Sequence, residues 1–127
     1  MRYLLDTHVL LWLYGKYSIL PNHVLNIIKD PKNELLISSV SVWEIAIKKG
    51  LQKLDINITI DELYDLIEDS SIKIINIEKT HLKIYADLIF YHRDPFDRML
   101  VAISNAENIT IITHDKKIHQ YDVNWLW

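Results

Sequence analysis

The chain has 127 residues, half of them hydrophobic, with 14 Lys and Arg against 17 Asp and Glu for a formal net charge of −3. Such a chain is too apolar to stay unfolded and long enough to bury a core without staples. A uniformly basic nucleic-acid coat is excluded, because phosphate binding needs clustered cations. The absence of cysteine excludes disulfides, thiolate zinc sites and thiol nucleophiles, and it suits a reducing cytoplasm. The N-terminal MRYLLDTHVLLWLYGK is apolar, but Asp6 and His8 interrupt it and no small-residue cleavage site follows. A secretory signal is therefore not expected. No apolar run approaches the roughly 20 residues that span a bilayer, so a cytoplasmic protein without membrane contact is expected.

Two glycines and three prolines punctuate the whole chain, which predicts helices joined by tight connections. Arg2–Leu5 reads as a strand, followed by a helix from Thr7 to Tyr14 stopped by Gly15. Pro21 opens a second helix that closes before Pro31. Glu34–Ser38 is a short apolar run, read as a buried strand. Ser39 or Ser41 is the expected cap of the next helix, which runs to Gly50. On its wheel, Val40, Trp43, Ile47 and Leu51 form an apolar face with Glu44 at the edge beside Lys48. Thr59 or Asp61 starts a further helix. Ile72–Ile77 reads as a strand and Thr80–Tyr91 as a helix. Asp94 and Pro95 begin a long helix to about Asn108, with Asp at the N-cap and Pro at the first helical position. Thr110–Thr113 reads as a strand, and Val123–Leu126 as a last short one. Strands that are apolar throughout and alternate with helices predict a parallel sheet covered on both faces. Ligands of such sheets sit at the carboxyl ends of the strands.

The acidic residues are informative against that frame. Asp6 follows the first strand, and Asp115 lies two residues beyond Thr113. The two reach one rim if their strands are neighbours. Each also has an ordinary local use, Asp6 as a helix N-cap and Asp115 in a turn. Glu44 sits in an otherwise uncharged stretch, where an i,i+4 pair with Lys48 is the plain alternative. Asp97 lies in the first turn of the long helix, where the helix dipole favours a carboxylate. Asp94 has a sufficient capping role. Carboxylates gathered at one rim raise one another's pKa and oppose folding, and a divalent cation resolves the conflict. Hard oxygen donors, with no Cys and no HExxH spacing, favour Mg²⁺ or Mn²⁺ over zinc. Setting aside four of the 17 acids leaves 13 against 14 bases, so the acidic excess reads as a concentrated cation site.

The blocks LLDTHVLLW, SVWEIAIKKG, HRDPFDRMLVAIS and ITHDKKI resemble, in order and over nearly the whole chain, the four acidic blocks of PIN-domain ribonucleases. The resemblance is closest to VapC-like toxins of type II toxin–antitoxin systems. It implies a three-layer α/β/α sandwich around a parallel sheet of four to five strands, with residues 1–127 forming one PIN domain. It implies an Mg²⁺- or Mn²⁺-dependent endoribonuclease that cleaves RNA phosphodiesters with a metal-activated water. Asp6, Glu44 and Asp97 would be the core metal ligands, and Asp115 would complete the catalytic site. Thr7, Ser39 and Thr113 would orient water or carboxylates. Arg98 and His114 would contact RNA phosphate, while His8 and His92 are expected as surface residues. The resemblance further implies a cognate antitoxin and a homodimer. Two other readings stay beside it. A receiver-like phosphoacceptor domain shares the sheet and strand-end acids, but it needs a paired acid after the first strand, where Thr7-His8 stands. A catalytically silent PIN-like module that binds RNA or protein is the other. A flap nuclease would need helical arches for which 127 residues leave no room.

Overall fold

The computed structural model describes residues 1–127. Five parallel strands form its sheet: β1 (Arg2–Leu5), β2 (Glu34–Ser38), β3 (Lys73–Ile75), β4 (Thr110–Ile112) and β5 (Trp125–Leu126). Their spatial order is β3-β2-β1-β4-β5. β1 therefore lies between β2 and β4, with Leu5 beside Ile37 on one side and Ile112 on the other. The helices are α1 (Thr7–Gly15), α2 (Asn22–Lys29), α3 (Ser39–Gly50), α4 (Ile60–Asp69), α5 (Lys79–Ala86) and α6 (Pro95–Glu107).

Successive strand side chains point to opposite faces, and two core clusters divide them accordingly. Tyr3, Leu5, Leu35, Ile37 and Ile112 pack with α1, α2, α4 and part of α3. Leu4, Leu36 and Ile111 pack with α6, against which Ile84 and Tyr85 of α5 also lie. This is the three-layer parallel α/β sandwich, and burial on both faces explains the apolar runs Tyr3–Leu5, Leu35–Ile37 and Ile111–Ile112 within β1, β2 and β4.

Several boundaries differ from expectation, each for a physical reason. The cap of α3 is Ser38, whose Oγ accepts the Val40 N–H at 3.1 Å, and not Ser39 or Ser41. The buried face of α3 carries Val40, as expected, with Ser41, Val42, Glu44 and Ile45, while Trp43 (61% exposed) and Leu51 face outward. The outer strands are shorter than expected, three residues in β3 and two in β5. Each pairs on one side only, which limits the ladder. Helix α5 ends at Ala86 and not at Tyr91. The freed carbonyls of Leu88 and Ile89 accept hydrogen bonds from the buried Arg98 guanidinium at 3.4 and 3.0 Å. Carbonyls inside a helix would already be engaged, so Arg98 favours the unwound turn.

Candidate functional site

Because β1 and β4 are neighbours, Asp6 and Asp115 emerge at the same rim, the carboxyl ends of the strands. Asp6 is 3% exposed. Its N–H donates to Ile112 O at 3.0 Å, which extends the β1–β4 ladder to the residue itself. Its Oδ2 accepts the Thr113 hydroxyl at 2.6 Å, and its Oδ1 accepts the His8 N–H at the start of α1. Both donors are neutral groups. Burial pushes the Asp6 carboxyl above its ordinary range and the Glu44 charge adds to the push, outweighing the Thr113 hydroxyl and the charge and N–H of His8.

Glu44 is buried on α3, also at 3% exposure. The Thr7 hydroxyl donates to its Oε1 at 2.8 Å, and Lys48 Nζ stands 2.8 Å from its Oε2. Burial pulls the Lys48 ammonium down, but the Glu44 hydrogen bond and charge, with the charges of Asp94 and Asp97, hold it above its usual value. The i,i+4 pair is thus present and belongs to a larger acidic field.

Asp97 begins α6 behind the Asp94 cap, whose Oδ1 accepts the N–H groups of Phe96 and Asp97 at 2.8 and 3.1 Å. Burial, then the charges of Asp6, Asp94, Glu44 and Asp115, push Asp97 up to about 8. Asp6, Glu44 and Asp115 thus all lie close enough for their charges to act on Asp97. Asp115 closes the rim in a tight turn, its N–H donating to Thr113 Oγ1 and its Oδ1 accepting from Lys117 N–H. Burial pulls it up, but the His92 hydrogen bond and the Lys117 N–H outweigh this and hold it below the usual range.

His92 is the residue that sequence reasoning placed at the surface and the structure buries, at 9% exposure. Its Nε2 lies 2.9 Å from Asp115 Oδ2 and 3.0 Å from Asp97 Oδ2. On the other side of the ring, the Asp94 N–H donates to Nδ1 at 3.1 Å. A nitrogen that accepts a hydrogen bond carries the lone pair, so the ring proton resides on Nε2. Nε2 therefore donates to Asp115 Oδ2, with Asp97 Oδ2 close beside it, and presents no lone pair to a cation. His92, Asp97 and Asp115 share one small volume, with the ring as a fixed strut between the acids.

Arg98 departs from its expected role. It is 2% exposed, and its guanidinium bonds the Tyr121 hydroxyl and the Ile89 carbonyl while Phe90 covers it at 3.9 Å. It cannot reach phosphate from there. Tyr121 completes this support: its hydroxyl accepts the His92 N–H and donates to Ile89 O at 2.6 Å. Arg98 and Tyr121 together hold the 87–94 turn that carries His92. The one available signal was an arginine at the head of the apolar run Met99–Ile103, which asks for buried acceptors. Ser39 is half-buried and its hydroxyl makes no hydrogen bond, so the hydroxyls that hold rim carboxylates are Thr7 and Thr113. His114 is exposed at the mouth of a cavity of about 400 Å³ that Asp6 and Asp115 also line.

The rim therefore holds buried carboxylates whose charge is only partly answered, by Lys48 and by the His92 N–H. Hard oxygen donors of this kind fit Mg²⁺ or Mn²⁺. Asp6, Glu44, Asp97 and Asp115 would be the residues to hold such an ion.

The PIN domain family model matches residues 3–124. No curated protein matches the chain by sequence. Among solved structures, the chain is similar to VapBC2 from Rickettsia felis, bound to a DNA fragment from its promoter. The TM-score there is 0.68 at 20% identity, over 99% of this chain and 98% of the other. VapBC-1 from nontypeable Haemophilus influenzae gives a TM-score of 0.67 at 18% identity, over 99% and 97%. A toxin–antitoxin complex from Klebsiella pneumoniae gives 0.65 at 19% identity, over 98% and 96%. These neighbours share the fold, and the family match spans almost every residue: the chain belongs to the PIN-domain family.

Proposed function

We propose that the protein is a cytoplasmic, Mg²⁺- or Mn²⁺-dependent endoribonuclease, the toxin of a toxin–antitoxin pair. The observation that carries this reading is the rim itself, where Asp97 is pushed up to about 8 by burial and by four neighbouring carboxylates. A fold gains nothing from assembling such a group unless something cationic occupies it. The neighbours in the VapBC and Klebsiella complexes support the toxin reading and an antitoxin partner. Exposed apolar residues around the α5–α6 turn, Leu82, Ile89 and Phe90, support a further protein contact there, which we assign to a homodimer.

The residues divide the work as follows. A divalent ion, when bound, supplies positive charge against the scissile phosphate and makes water a better nucleophile. Thr113 and Thr7 fix the carboxylates of Asp6 and Glu44 in single orientations. His92 Nε2–H fixes Asp115, with Asp97 close beside it. Asp97 holds a proton at neutral pH until the rim is neutralised. Water then displaces the 3′-oxygen from phosphorus, leaving a 5′-phosphate and a 3′-hydroxyl.

The test is cleavage of RNA by the purified protein in Mg²⁺ or Mn²⁺, against EDTA and against Asp6→Asn. Cleavage that needs the metal and is lost in the variant is expected. Equal cleavage by the variant overturns the reading.

A further inference from the structure

Four aromatic rings crowd one side of the acidic rim. Trp12 lies 5.8 Å from His8, 6.5 Å from His114 and 5.7 Å from Trp127, and His114 lies 5.2 Å from Trp127. Their planes are tilted by 38° to 64°, so none of these pairs is stacked face to face. Elsewhere the same chain stacks rings closely: His119 lies on Trp125 at 3.6 Å and 11°. His8 and His114 are exposed and Trp12 is half-buried, so the cluster borders open space. His8, Trp12 and His114 line the cavity of about 400 Å³ that Asp6 and Asp115 also line, with Lys116 among the lining residues. That volume falls in the usual range for small-molecule sites. His8 and Trp12 line a second, smaller cavity as well, together with Lys16, Lys48 and Lys53. Flat rings beside the acids, with ammonium groups on both sides, match the two chemistries of a single nucleic-acid strand. Bases stack on aromatic faces, and phosphates track lysines.

We infer that His8, Trp12 and His114 form a stacking subsite for an unpaired nucleobase next to the scissile phosphate, with Lys16 and Lys53 taking a neighbouring phosphate. The inference rests on the ribonuclease reading and assigns the residues that receive a base free to leave its stack. A base paired in a duplex cannot turn its face to these rings. The acidic rim repels phosphate before a cation is bound, so base stacking gives the strand a hold that does not depend on charge.

The probe is a fluorescently labelled ten-nucleotide RNA of mixed sequence, single-stranded or annealed to its complement, titrated with protein in EDTA so that no cleavage intervenes. The parent is expected to bind the single strand at least about fivefold more tightly than the duplex. Trp12→Leu and His114→Ala are each expected to weaken single-strand binding by roughly tenfold and to leave duplex binding unchanged. His114 is exposed, so its replacement reports on binding even if Trp12→Leu disturbs the core it packs against. Lys53→Ala is expected to lower the slope of log affinity against log salt by about one. A parent with no preference for the single strand overturns the inference. Variants that bind as the parent does overturn it too, and the aromatic cluster then stands as a protein-docking surface. Failure of the parent to cleave any RNA, with the stacking pattern intact, overturns the hydrolase reading and leaves this subsite standing.

Discussion

The two ends of the sheet treat carboxylates in opposite ways. At the amino ends of the strands, Glu34 pairs with Arg2 at 3.3 Å and with Lys73 at 3.2 Å, in open solvent. The Lys73 hydrogen bond and the two cations hold it below its usual range. At the carboxyl ends, Asp6 and Asp97 are buried among like charges and pushed up. One end spends its acids on pairing. The other withholds cations from acids that burial makes costly to ionise, and a side chain placed this way is poised for an exogenous charge. Two histidines repeat the contrast on a smaller scale. His81 and His92 each accept a backbone N–H on Nδ1 and donate from Nε2 to acid. His81 serves a single carboxylate, Glu107, at the start of α5, whereas His92 lies against two acids of the rim.

If the ends differ as described, the largest effect belongs to Asp6→Asn. RNA cleavage is expected to fall by more than about 100-fold, because a ligand is lost. At the same time the metal-free variant should melt higher than the parent at pH 8, since one buried like charge is gone. A variant that loses both activity and stability would place Asp6 with the structural acids.

The pH dependence comes next. Asp97 has a folded pKa of about 8, against about 3.9 unfolded. Between those values the folded state holds a proton that the unfolded state has released. Stability from this group is complete below about pH 4 and is lost as pH rises through 8. Asp6 is raised and acts in the same direction. The metal-free melting midpoint should therefore fall by at least ~5 °C from pH 5 to pH 8. Millimolar Mg²⁺ should restore it at pH 8 and do little at pH 5, where protons compete for the same oxygens. Calorimetry at both pH values, before and after EDTA, measures this. A flat profile would mean that the rim is already neutralised from within.

A smaller effect is expected for Thr113→Val, which keeps shape and removes the hydroxyl that donates to Asp6 Oδ2. Such support of a ligand is worth about 10- to 100-fold in metal affinity or activity. Titration calorimetry with Mn²⁺ should show the loss without a change in stoichiometry. The corresponding change at the other end, Lys73→Met, should leave Mn²⁺ binding untouched.

How much of this could be read from residues alone follows from which interactions are local. The strand character of β1, β2 and β4 was legible because strands buried on both faces must be apolar. The positions of Asp6 and Asp97 were legible because the first directly follows β1 and the second lies in the first turn of α6. The inward aim of Glu44 was less so, since Trp43 and Leu51 on its helix stand in solvent and mislead a wheel. The early end of α5, the burial of Arg98 and the role of His92 were not legible. They depend on one another through Tyr121, which is remote in sequence from all three. Arg98 needs free carbonyls, the helix unwinds to provide them, and the unwound turn delivers His92 to the rim.

The smallest effect tests the paired end. Glu34→Gln removes a carboxylate held below its ordinary value, so its contribution has the opposite pH sign to that of Asp97. Stability from Glu34 is present above its unfolded pKa and disappears as pH falls through the lower folded value. Exposure and solvent screening keep it small. The melting midpoint of Glu34→Gln should lie within about 3 °C of the parent at pH 7 and coincide with it near pH 3. Mg²⁺ should raise both proteins equally at pH 8, because nothing at that end awaits a cation. A Glu34→Gln midpoint that responded differently to Mg²⁺ would show that the two ends of the sheet are coupled, and that the acidic rim is not the only place where the fold answers to metal.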